Sequence, residues 1–179
     1  KEGGLKNIFI IFFAAVVWLS AKTLALLFFF SHRLGGFNLD LYRWVRLTGV
    51  GEITQIQGGF YRIFFQSHIF ALILLSFLFF YLINLLSYKK YYTPEFLYHI
   101  SRLKLIAICS LLFIVLFSAI IITFSRSYWY GAGAVVLPLF IFLIIKMKVG
   151  LKRFILSNIY FLVLSALSIL LIIGIVKFP

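Results

Sequence analysis

Leu105–Phe124 reads LIAICSLLFIVLFSAIIITF, and SRSYWYG follows it at Ser125–Gly131. The first stretch carries no charged residue, and neither does Tyr128–Ile145 beyond the second. Only a short turn separates two apolar runs, and it holds Arg126. Uninterrupted runs of this length match the hydrocarbon thickness of a bilayer. A cation between them then lies at the lipid–water boundary. Ser125 or Ser127 is a candidate cap for the second helix, whose first N–H groups have no intrahelical partner. Those donors, the positive helix end and Arg126 together favour an anion. The competing reading is an interfacial arginine in an aromatic belt of Tyr128, Trp129 and Tyr130.

Composition agrees with the membrane reading. Hydrophobic residues make up 64% of the 179-residue chain and charged residues only 12%, with a mean hydropathy of +1.15. A soluble domain of this size could not cover so much apolar surface. The formal charge is +13, but the cations lie in short links between apolar runs. No long basic face with interleaved aromatics is present to follow a phosphate backbone, so no nucleic-acid partner is expected. The single cysteine, Cys109, lies inside an apolar run and reads as packing. No carboxylate pair or metal-ligand cluster stands out, and neither metal nor cofactor is expected.

The expected fold is an all-α polytopic integral membrane protein. It forms one transmembrane domain with about five spans, near residues 5–30, 68–88, 105–124, 128–145 and 155–176. Lys22 is the charge inside the first span. It is expected to snorkel along its stem to the interface, the alternative being a polar cavity where it helps hold a negative group. Residues 31–67 form the longest polar stretch and read as a loop. Within it, Leu39–Leu47 reads as an amphipathic helix lying on the membrane. Gly58-Gly59 is a breaker. Phe60, Ile63 and Phe64 then fall on one helical face, as a lead-in to the second span. The chain begins with Lys1 rather than Met, and is expected to be part of a longer protein.

The cations divide into two groups. Lys1, Lys6, Lys89, Lys90, Arg102, Lys104, Lys146, Lys148, Lys152 and Arg153 fall on one side; Arg33, Arg43, Arg46, Arg62, Arg126 and Lys177 fall on the other. The denser side is placed in the cytoplasm, N-terminus included. The other side is dominated by arginine. A guanidinium grips phosphate oxygens in pairs whereas an ammonium is a point charge, so an arginine-rich face suits a phosphate or diphosphate. Interfacial contact with lipid phosphates is the alternative.

One resemblance adds to this. Gly59-Phe-Tyr-Arg62-Ile-Phe-Phe-Gln-Ser-His68, leading into a span, resembles an element of the O-antigen ligase and O-antigen polymerase superfamily. In that family a charged cytoplasmic loop, a further span and a Ser-Arg turn follow, as in Phe124-Ser125-Arg126-Ser127-Tyr128-Trp129. Ser127 departs from the family, which often has Gly there. The resemblance covers roughly residues 59–145. It implies metal-independent glycosyl transfer from an undecaprenyl-diphosphate-linked glycan at the outer face of the bacterial inner membrane. It also implies that Arg62 and Arg126 hold the diphosphate, with Arg43, Arg46 and Lys22 as further candidates. The family's expected base, a His in a large outer loop further downstream, has no counterpart here, and the catalytic residue is unassigned. His32 and His68 lie on the outer side but read as structural. The alternatives are a small polytopic substrate-binding subunit of a transporter, and a structural subunit of a membrane complex that packs against partner subunits.

Overall fold

The computed structural model describes residues 2–32, 37–47, 51–56, 60–87, 101–126, 130–131, 133 and 151–177. Its elements are α1 (Glu2–Ser31), α2 (Phe37–Leu47), β1 (Gly51–Gln55), β2 (Tyr61–Phe65), α3 (His68–Ser87), α4 (Arg102–Thr123) and α5 (Leu151–Lys177). Four of the helices carry apolar stretches long enough to cross a membrane: Asn7–Ser31, His68–Leu86, Arg102–Thr123 and Ile155–Lys177. The fold is therefore an all-α polytopic membrane bundle, with one small β-hairpin added. The span expected at 128–145 lies outside the described residues apart from 130, 131 and 133.

These helices are apolar on all sides, as helices are when lipid replaces water. α4 is the central one and touches α1, α3, α5 and β2. Its Leu105, Cys109, Phe113, Leu116 and Ile120 pack with Val16 of α1, Leu164 of α5 and a row on α3 from Ala71 to Leu85. α5 turns Leu156, Leu162 and Leu170 outward, where acyl chains are the solvent.

Hydrogen bonds fix the direction of α5. Tyr160 Oη bonds Ser110 Oγ, and Ser118 Oγ donates to the Ser168 carbonyl at 3.2 Å. Ser168 Oγ lies 2.9 Å from Leu164 O in its own helix and 3.4 Å from Ile114 O of α4. The Ser110–Tyr160 and Ser118–Ser168 contacts each join residues 50 apart, so α4 and α5 run the same way. Thr123 and Lys177 thus share one end of the bundle with Ser31 and His68, and Arg102 lies at the other. In lipid such polar contacts contribute about 0.6 kcal/mol each on average.

The described residues from 37 to 65 do not form the expected polar loop. α2 and the hairpin form a cap with its own core: Val45, Ile53, Ile63 and Phe65 pack on Leu26, Leu27 and Phe30 of α1, Ile122 of α4 and Ile172 of α5. α2 appears where its amphipathic period placed it. The expected helical lead-in at Phe60–Phe64 is instead strand β2, paired antiparallel with β1 so that Ile53 faces Ile63 and Thr54 faces Arg62. Alternation decides this: Ile63 and Phe65 are buried, while Arg62 and Phe64 take the other face. Ile56 N–H donates to Phe60 O at 2.7 Å and extends the ladder. Gly51 lies opposite Phe65, and a Cβ there would meet the Phe65 ring at 2.5 Å and the Phe64 carbonyl at 2.7 Å. Only glycine lets the strands approach at this point.

Candidate anion site at the hairpin end

α4 ends in a compact turn. Phe124 adopts the left-handed conformation, φ 44° and ψ 29°, and its N–H returns to Ile121 O. A bulky residue rarely takes this conformation. Thr123 is fully buried. Its Oγ1 donates to Ile120 O at 2.7 Å and accepts from Ser125 N–H at 3.3 Å. Thr123 thus supplies side-chain bonds at this junction; the N–H groups that Ser125 is expected to cap lie outside the described residues. Ser127 lies outside them.

The hairpin docks on that turn. Phe60 meets Phe124 edge to face, with ring centroids 5.3 Å apart. Arg62 Nε donates to the Thr123 carbonyl at 2.8 Å. That carbonyl belongs to the last turn of α4, where acceptors are orphaned and the dipole is negative. The guanidinium also lies 5.6 Å from the Phe64 ring. Its terminal nitrogens, Nη1 and Nη2, have no acceptor among the described residues. One edge of the fork is tied to the protein and the other is open. Arg126 follows on the same turn and is exposed. The structure thus brings Arg62 to the segment that carries Arg126, although their elements are far apart in sequence. Neither makes an ion pair among the described residues.

The other candidates are not brought to this turn. Arg43 and Arg46 are exposed on α2, and Arg46 stacks 5.4 Å over the Tyr42 ring. Lys22 Nζ lies 4.5 Å from the Trp44 ring and 4.7 Å from the Phe65 ring. The ammonium is thus placed over two aromatic faces. Such contacts stabilise a cation by about 0.5–2 kcal/mol.

His68 is wholly buried and its bonding assigns its tautomer. Nδ1 accepts from Phe65 N–H at 3.0 Å, so that nitrogen carries no proton. Nε2 lies 2.9 Å from Thr23 Oγ1, and Thr23 Oγ1 donates to Leu19 O at 2.9 Å. Nε2–H therefore donates to Thr23, and a neutral imidazole links β2, α3 and α1 in one chain of bonds. His32 Nδ1 bonds Phe28 O at 2.8 Å. Both histidine rings are thus tied to the backbone through Nδ1. Among the described residues no group of His, Cys, Asp or Glu could hold a metal ion.

An apolar groove of about 480 Å³ runs along α3, lined by Ile69, Leu72, Ile73, Ser76, Phe77 and Phe80 together with Gly131. It begins one residue from His68, at the hairpin end. Sequence reasoning located both arginines but missed Thr123 and Thr23. A polar residue at the last turn of an apolar span was the signal available for Thr123; Thr23, inside a span, offered none beyond its hydroxyl.

No protein-family model, no curated protein and no solved structure matches this chain.

Proposed function

We propose that the chain binds the diphosphate of an undecaprenyl-diphosphate-linked glycan at the outer face of a bacterial inner membrane. In this reading it is a membrane portion of an O-antigen-type polysaccharide polymerase or ligase. The observation that carries the reading is the open fork of Arg62. Its Nε is held by the Thr123 carbonyl at 2.8 Å, its terminal nitrogens have no acceptor among the described residues, and Arg126 is on the same turn. Two guanidinium groups there could share the oxygens of one diphosphate. The apolar groove on α3 suits a hydrocarbon chain leading away from that end. In the reaction, an acceptor hydroxyl gives up its proton to a base, here unassigned, and attacks the anomeric carbon as the bond to the diphosphate oxygen breaks. Arginines beside that oxygen stabilise the charge it gains. The arginine-rich hairpin end would face outward, and the end bearing Arg102 and Lys104 inward.

Saturable binding of a short-chain polyprenyl diphosphate to purified protein, lost in Arg62→Ala and in Arg126→Ala, is the expected result. Binding indifferent to both changes would remove the reading.

One observation favours a purely structural subunit. Arg102 does at the other end what Arg62 does here: its Nε and Nη2 donate to Leu85 O at the end of α3. An arginine bonded to a last-turn carbonyl of another helix is thus a device this fold uses at both ends. The difference is that Arg102 commits two nitrogens to that carbonyl and Arg62 only one. In the structural reading Arg62→Ala lowers stability and no polyprenyl diphosphate binds.

A further inference from the structure

α2 presents a row that the proposed diphosphate site does not use. Leu39, Arg43 and Leu47 stand four residues apart, so they share one stripe of the helix, about 12 Å long. Leu39 is 54% exposed and Leu47 85% exposed; Arg43 and the neighbouring Arg46 are exposed as well. The opposite side, Leu41 and Val45, is taken up by the cap core. The row has a definite depth. Trp44 touches Lys22, which lies inside the span Asn7–Ser31, and Val45 packs on Leu26, Leu27 and Phe30 of the same span. α2 therefore lies beside the last turns of α1, the end of a span where an interfacial helix is expected to meet headgroups. Neither arginine has a carboxylate partner among the described residues; Asp40 flanks the row without pairing to it.

We infer that this row binds anionic phospholipid headgroups: Arg43 and Arg46 take the phosphates, and Leu39 and Leu47 enter the upper acyl region on either side. The chemistry is that of an interfacial helix whose apolar ends set its depth and whose cations choose the lipid. The arginines of α2 then serve the lipid surface, apart from the Arg62–Arg126 turn.

The test uses the protein in nanodiscs of mixed phosphatidylcholine and phosphatidylglycerol, with the lipid retained on release read by native mass spectrometry. Phosphatidylglycerol is expected to be enriched, with the enrichment lowered about fivefold by each of Arg43→Gln and Arg46→Gln and raised by Asp40→Asn. A spin label on Leu47→Cys in a Cys109→Ala background is expected to relax faster with oxygen than with a water-soluble nickel chelate. No preference for phosphatidylglycerol, or a preference indifferent to both arginines, overturns the inference. A label shielded from both relaxants also overturns it, because protein, such as a second copy, would then cover the row.

Discussion

Removing the hydroxyl of Thr23 is the sharpest perturbation the fold offers. Thr23→Val keeps the shape and deletes the acceptor that His68 Nε2–H uses at 2.9 Å. The imidazole is wholly buried, so its N–H finds no water in exchange. An unsatisfied buried donor costs about 1–3 kcal/mol. His68→Ala deletes the same bond from the other side. It also strands Phe65 N–H, which donates to Nδ1 at 3.0 Å, and leaves a void beside the Phe65 ring. It should therefore cost more, by about a further 1–3 kcal/mol for the stranded N–H. The two changes share one bond, so the double variant should be less destabilised than the sum, with a coupling of about 1 kcal/mol. Unfolding in detergent can be followed with a thiol-reactive dye, since Cys109 is the single cysteine and is buried in the bundle core. For a chain of this size each kcal/mol corresponds to a shift of about 2–4 °C. Thr23→Ser should restore most of the loss. Additive effects of Thr23→Val and His68→Ala, or no restoration by serine, would refute the network.

Other expectations follow from the same geometry. Gly51→Ala should destabilise by about 1–3 kcal/mol in the same dye assay, because its Cβ has no room against Phe65 and Phe64 and overpacking is destabilising; wild-type stability would mean that the strands do not approach as closely as described. Arg126→Lys should weaken polyprenyl diphosphate binding roughly tenfold although charge is kept, since a point charge replaces a fork; unchanged affinity would count against paired recognition. Cysteines at Gln55 and Ser101 should label from opposite sides of the membrane, Gln55→Cys from outside; labelling from one side would contradict the bundle ends, and the reverse pattern would invert the proposed orientation.

The spans were legible because lipid removes ambiguity: in α3 and α4 every face is apolar, and a long uncharged run has few other uses. α2 was legible from its period. The hairpin was not. Phe60, Ile63 and Phe64 satisfy a helical spacing, while Tyr61, Ile63 and Phe65 satisfy a strand spacing equally well, and a run this short cannot choose between them. Pairing with Ile53 decided it, through a core that the polar composition of the loop concealed. At the candidate site, the type and position of Arg62 and Arg126 could be read from the chain. What holds Arg62 could not, because the Thr123 carbonyl is 61 residues away and a backbone acceptor has no side-chain signature. The same holds for Lys22, whose aromatic partners come from α2 and β2.

The central claim is that Arg62 and Arg126 act on one anion. Its most direct test is the affinity of a short-chain polyprenyl diphosphate for wild type, Arg62→Gln, Arg126→Gln and the double variant. Saturable binding, weakened in each single variant and no further by more than a small factor in the double, is the predicted pattern for a shared ligand. Absent binding, or losses that multiply independently, would contradict a shared site and leave Arg62 as a cap on α4.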